Sequence, residues 1–496
     1  NASRYTPSST LQRMELLKTG YMGTLSLGWD NCLFLELTGR QERSSTLKDQ
    51  SFFYPSANLS FLFTQAFHMP SWWNYGKLRL SYGIVGNAPE TYTANIVYEQ
   101  GSDNGFTWNT IPSSWGNADI HPEKKYEYEI GLESKFLNNR LGIDISYYNN
   151  RVKDQILSTP QPSTSGVKNV LMNVGEVANR GWDISISATP ILTRDFRWDL
   201  TANYGVYKNK VVKLADGVPY LEILNSGGSG IKIQAVEGQP MGDIYAQVPQ
   251  VNENGEYLVS DKGLYLNQTE LQKVGNINPA GVGGLFNSFS YKNVFLDFSI
   301  DFRIGGDVIN EMNQYATAVG LTPESLKYRD TEHGGLSYYY PGDNNSSGIP
   351  VQVDPSTGAG PNGEIIYHDG IILPGVVAST GERNTRIIPA GYYYNTTYNW
   401  GTEAEQLTYR HSVFDNSYVK LRELTIGYQF PEKIISKRGL GRLSVSVFGR
   451  NLFYFYKALK NYDAESSVGT SWANQATVGS STTATRSFGV SLRASF

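Results

Sequence analysis

Two carboxylates spaced two residues apart, Glu127 and Glu129, are the first place to look for acid–base chemistry. Residues i and i+2 of a strand share a face, so the pair would point the same way, as general acid–base work requires. Glu133 and Lys135 continue the same alternate positions, which makes a mixed-charge, solvated strand face the simpler reading. The five histidines (His68, His121, His333, His368 and His411) show no H-x-x-x-H spacing, and Cys32 is the single cysteine. No zinc-type ligand set is expected from them, and no internal disulfide can form. The glycine clusters at 227–230 and 281–284 lack the Lys-Ser/Thr of a P-loop and read as flexible loop. No catalytic residue, metal or cofactor is expected, and an enzyme is the least favoured class. The aromatic residues are more informative. Trp108 and Trp115 fall in one long connection, Tyr338, Tyr339, Tyr340, Tyr393 and Trp400 in another, and Trp472 in a third. Exposed rings stack on sugars or grip peptide side chains, and they order cheaply. These eight are the candidate ligand contacts; packing of the loops, or a girdle at the lipid headgroups, stays open as the alternative.

The elements that would position them are strands. The chain has 496 residues, net charge −4, 34 Tyr, 50 Gly and 18% charged residues. Near-neutrality gives no reason to expect nucleic acid as a partner. Abundant Tyr and Gly suit an all-β protein with many turns. No apolar run approaches the ~20 residues of a membrane helix. Apolar and polar residues instead alternate in segment after segment: residues 21–29, 33–38, 59–67, 77–84, 126–136 and 141–147. The same holds around Trp182, Trp198, Leu296, Leu424 and Leu443, and in 487–496. Thirteen strands are expected. Their connections alternate between short turns, such as Asp30-Asn31 and Asn138-Asn139, and long loops near 43–56, 86–124, 158–177, 209–283, 305–416 and 456–484. Short turns on one rim and long loops on the other are the pattern of outer-membrane barrels. The fold expected is therefore an all-β transmembrane antiparallel β-barrel. Its long loops are extracellular, and Phe496 is the barrel-insertion carboxy-terminus. A complete bacterial barrel has an even strand number; the odd count suggests that upstream strands are missing.

Several segments resemble one family. Residues 77–87 (KLRLSYGIVGN), 173–186 (NVGEVANRGWDISI), 236–246 (VEGQPMGDIYA), 418–431 (YVKLRELTIGYQFP) and 449–453 (GRNLF) resemble, in order, motifs of the SusC/RagA family of TonB-dependent outer-membrane transporters of Bacteroidetes. So do 123–148 and 284–305. The resemblance implies a plugged barrel of ~22 strands, of which residues 1–496 would be the carboxy-terminal part, with the plug domain and TonB box outside this sequence. It implies a SusD-like surface lipoprotein as a lid on the extracellular side, so the eight loop residues are also candidate lid contacts. It further implies energisation by the TonB complex, a lipid bilayer as surroundings and the outer membrane as location. Family members often carry an acidic loop within 251–279. Here Asn252, Asn254, Gly255, Glu256 and Asp261 supply too few carboxylates for an EF-hand-type site, and a plain turn is expected. The function implied is active import of a large nutrient, a glycan or an oligopeptide. The alternative is a SusC-like barrel serving as a structural subunit of an envelope secretion or assembly complex.

Overall fold

The structure, a computed structural model, describes residues 13–48, 51–103, 106–161, 164, 166–226, 230–342, 348–399, 405, 409–435, 439–466, 471–479 and 484–495. The chain divides into two compact units. One comprises Asn1–Pro190, Asp199–Leu221 and Val236–Met241; the other comprises Ile191–Trp198, Glu222–Ala235 and Gly242–Phe496.

Thirteen long antiparallel strands form among the described residues, as the alternation predicts. They are β1 (Lys18–Trp29), β2 (Leu33–Ser44), β3 (Ser51–Phe61), β4 (Trp73–Asn87), β5 (Glu123–Phe136), β6 (Leu141–Lys153), β7 (Glu176–Leu192) and β8 (Phe196–Lys213). Then follow β9 (Gly281–Tyr291), β10 (Val294–Ile304), β11 (Tyr418–Gln429), β12 (Arg442–Lys457) and β13 (Ser487–Ser495). In the first unit each strand from β1 to β7 pairs with the next. In the second, β9 to β13 do the same. The tight turns use residues that tolerate a left-handed backbone: Asp30 and Asn31 have φ of 48° and 50°, and Asn138 and Asn139 have 57° and 63°.

Two boundaries differ from expectation. The connection expected at 43–56 shrinks to 45–50, because β2 runs on to Ser44 and β3 starts at Ser51. The strand expected over 59–67 stops at Phe61, and a one-turn helix, Phe63–Ala66, follows. Phe63 there meets Trp73 edge-on at 5.3 Å. Its ring lies over Gly76, where a Cβ would stand 2.2 Å from it; only glycine admits that approach.

The distribution of apolar residues inverts that of a water-soluble globule. On β4 and β5 the alternate residues Leu80 and Ile130 are 39% and 47% exposed, while Arg79 and Glu133 on the opposite face are better covered. The two largest buried apolar clusters lie in the connections instead. One gathers Ile231, Ile233, Ile244 and Ile309; another gathers Leu264, Ile371, Leu373 and Ile388. The strands are thus held by their backbone ladders, which pair peptide groups whatever solvent the apolar face meets.

The apolar face is graded along its length. Following the register of β5, β6 and β7 toward their long connections, the rows run Ile130–Tyr147–Trp182, Tyr128–Asn149–Arg180, Tyr126–Arg151–Ala178 and Lys124–Lys153–Glu176. Aliphatic and aromatic residues give way to amide and then to charge within about 20 Å of strand. That is the profile of a membrane interface.

A tyrosine-lined cleft as the candidate binding site

The connection after β10 is a small structure in its own right. Asn310 caps the helix Glu311–Ala318 by accepting the Asn313 N–H at 3.0 Å. A 3-10 turn, Pro323–Leu326, follows. Four short strands then make a sheet in the order Val351–Gln352, Leu336–Tyr339, Tyr367–Ile371 and Ile388–Pro389. The helix Ala390–Tyr398 closes it.

Between the turn, the sheet and the last helix lies a cleft of about 650 Å³, within the usual range for small-ligand sites. Ile371 and Leu373 line it, together with Tyr265, Tyr328, Tyr393, Tyr394 and Tyr398; Glu324 and Lys327 contribute its charges. The rings brace one another: Tyr393 and Tyr394 at 5.1 Å, Tyr394 and Tyr398 at 5.7 Å. The Tyr394 hydroxyl donates to the Glu324 carbonyl at 2.8 Å, tying the helix to the 3-10 turn. Lys327 Nζ stands 4.7 Å over the Tyr328 ring, a cation–π contact. Burial pushes Tyr265 and Tyr394 up to about 12, and Tyr393 well above the usual phenol value. All three hydroxyls therefore stay protonated at any physiological pH. The cleft offers ring faces and hydroxyls with one charge of each sign.

His411 supports this wall from behind. It stacks on Tyr398 at 4.4 Å with 17° between planes. Burial, and then the neighbouring Arg410, push its pKa down to about 4. An unfolded histidine titrates near ~6.5, so between about pH 6.5 and 4 the unfolded loop takes up a proton that the folded loop refuses. Stability of the loop is expected to fall as the pH drops through that window and to level off below it, by an order of ~3 kcal/mol in all. Hydrogen exchange of 390–399 at pH 7 and pH 5, corrected for intrinsic rates, measures this; His411→Phe should remove the dependence.

Of the eight sequence-derived loop residues, five are described in the second unit and two in the first. Tyr393 lines the cleft. Tyr338 and Tyr340 are buried in the core of the same loop, with Ile387, and the Tyr338 hydroxyl donates to Asp369 at 3.1 Å. Tyr339 is half-buried on that sheet. Trp472 lies against Gly242. Trp108 and Trp115 belong to the first unit. Trp108 sits exposed on the hairpin of Glu99–Asp103 and Phe106–Thr110, and Trp115 meets Tyr98 edge-on at 5.9 Å. Trp400 and Phe496 lie outside the described residues. The sequence reading missed Tyr265 and Tyr328, and the Glu324 and Lys327 pair. Tyr265 lies within 251–279, just beyond the residues expected to form a plain turn, where Asn252 Oδ1 accepts the Asn254 and Glu256 N–H groups.

Glu127 and Glu129 stand on the polar strand face. Glu127 is paired with Lys125 at 2.6 Å and accepts from Asn150 at 3.0 Å. Nearby, Arg79 holds Asp144 at 2.6 Å and approaches Glu133 at 3.5 Å, its guanidinium lying 2.9 Å from where a Cβ of Gly131 would be. This is a salt-bridged wall. No group of three His, Cys, Asp or Glu among the described residues is placed to hold a metal, and no helix among them is long and apolar enough to cross a membrane.

Known proteins match both sequence and fold. The family model for a TonB dependent receptor-like β-barrel matches residues 5–244. TonB-dependent receptor P3 of Formosa agariphila is 24% identical over 494 residues, covering 90% of this chain and 42% of that protein. TonB-dependent receptor SusC of Bacteroides thetaiotaomicron is 30% identical over 247 residues, covering 46% of this chain and 24% of SusC. A chain of the RagAB peptide transporter superposes with a TM-score of 0.62 at 19% identity, covering 89% of this chain and 44% of that one. The chain thus spans less than half the length of these relatives. Such proteins are receptors and transporters rather than enzymes. With thirteen antiparallel strands, apolar residues on one face and salt bridges on the other, the chain is similar to the β-barrels of TonB-dependent receptors, SusC among them, and shares the fold of a RagAB transporter chain.

Proposed function

We propose that this chain supplies thirteen strands of a larger, plugged outer-membrane barrel that imports a large nutrient, a glycan or an oligopeptide, in an energised step. In this reading the apolar strand face meets lipid, the salt-bridged face lines the bore, and the long connections stand outside the cell. A SusD-like lipoprotein closes over those connections, and a plug and TonB box elsewhere in the protein couple release to the TonB complex. The observation that carries it is the tyrosine-lined cleft, built in a long connection of a barrel whose core lies in its loops. In this reading its ring faces stand where an incoming ligand arrives.

The test is growth of a deletion strain on single glycans and peptides. Loss of growth on one nutrient, restored by the wild-type gene, is the expected result. Restoring with Tyr393→Ala should raise the half-saturating concentration about tenfold, the equivalent of ~1.4 kcal/mol of ring contact, with the barrel still assembled. Normal growth on every nutrient, with secretion or envelope assembly lost instead, would replace import by the structural-subunit role.

A further inference from the structure

Four cations, Lys124, Arg151, Lys153 and Arg180, stand on the apolar face of β5–β7 near the long connections. Lys124 and Lys153 are direct cross-strand neighbours, which puts their Cβ atoms about 5 Å apart, and like charges so placed repel. Arg151 lies one row nearer the apolar belt and Arg180 two. Against these four cations the same rows hold one carboxylate, Glu176, which accepts from Arg151 Nη1 at 3.0 Å. Lys153 Nζ also stands over the Tyr126 ring at 5.8 Å. The period of two continues the theme on β8, where Lys208 and Lys210 take alternate positions at the same end. Just below the cations the rows turn aromatic and aliphatic. A net positive shelf directly above an apolar wall matches one kind of occupant: a molecule with an anionic head and a hydrocarbon body.

We propose that this face is a specific binding site for a phosphate-bearing lipid of the surrounding leaflet. Arg151 and Arg180 would grip phosphate oxygens through paired N–H groups, and Lys124 and Lys153 would neutralise the remaining charge. The acyl chains would run down past Ile130, Tyr147 and Trp182. This rests on the barrel reading above, which places the long connections outside and hence this shelf at the outer leaflet.

The test uses the full-length transporter in phosphatidylcholine nanodiscs doped with lipid A or with its dephosphorylated form, and native mass spectrometry counts retained lipid. Wild-type protein should retain the phosphorylated lipid selectively. The K124Q/R151Q/K153Q variant should lose that retention by about a hundredfold, from ~1 kcal/mol per cation. K124R/K153R, which keeps the charge, should retain it, so a folding defect in the first variant cannot mimic the result. Equal retention by wild type and the triple variant, or of both lipids, overturns the proposal. So does complete displacement by millimolar inorganic phosphate, which would mark a free-anion site. A Thr107→Cys variant labelled by an impermeant maleimide on intact cells reports orientation separately. Absence of labelling would fault the barrel orientation, and lost selectivity with labelling intact would fault the lipid site alone.

Discussion

Ile130→Arg is expected to destabilise the barrel by ~2–4 kcal/mol, the cost of a cation facing the bilayer midplane. Ile130 lies in a row with Leu80, Tyr147 and Trp182 across four strands, all on the exposed apolar face. In a water-soluble protein an exposed isoleucine changes to arginine almost without effect. The informative control is Ser81→Arg, on the next residue along β4 and the opposite face. Ser81 stands directly across from Glu129, so a cation there meets a carboxylate in a wet bore. Its effect should stay within ~0.5 kcal/mol. Urea unfolding in lipid vesicles measures both. Comparable losses for the two substitutions would show that the apolar face is not in hydrocarbon, and the membrane assignment would fall with it.

The second large effect is expected at Glu465. Its carboxylate accepts from Lys420 and Arg422 on β11, and Arg422 also holds Asp301 on β10 at 2.6 Å and Asn451 at 2.9 Å. The Lys420 side chain is 2% exposed and the Glu465 side chain 26%. Glu465→Gln strands a buried ammonium, and breaking such a pair costs ~3–5 kcal/mol; partial exposure of the acid favours the lower end. Hydrogen exchange over 458–466 and chemical unfolding should both register it. Replacing the buried pair, Lys420→Met with Glu465→Leu, should recover most of the loss, because the buried ammonium goes with its acid and Arg422 keeps Asp301. If the single and double variants lose equally, the pair is packing rather than charge.

How far the sequence could be read is well shown by β11. In YVKLRELTIGYQF, Leu424, Ile426 and Tyr428 hold alternate positions, while Leu421 falls on the other parity. The structure resolves the conflict with register shifts that leave Arg422 unpaired on both sides: Leu421 and Glu423 pair with Ile300 and Ser299 on β10, and with Phe453 and Arg450 on β12. The bulge carries Lys420 and Arg422 to Glu465. A break in period is visible in sequence, but which residue is extruded depends on the neighbouring strands, and the partner lies 43 residues on. The loop aromatics show more sharply where local information ends. Tyr338, Tyr340 and Tyr393 look alike in sequence. Two of them became core and one lines a cleft, together with Tyr265 from a different connection.

The amino-acid sequence alone determined the thirteen strands, their two faces, the tight turns and, from β3 onward, the alternation of short and long connections. Each follows from a period of two or from the backbone preferences of a few adjacent residues, and such local information survives without knowledge of the fold. Tertiary structure alone decided the cleft, the Arg422 network and the cationic shelf. Each joins residues far apart in the chain, and the long connections have no period to say which ring turns inward. There the choice between core and surface is made by what the rest of the chain packs against it.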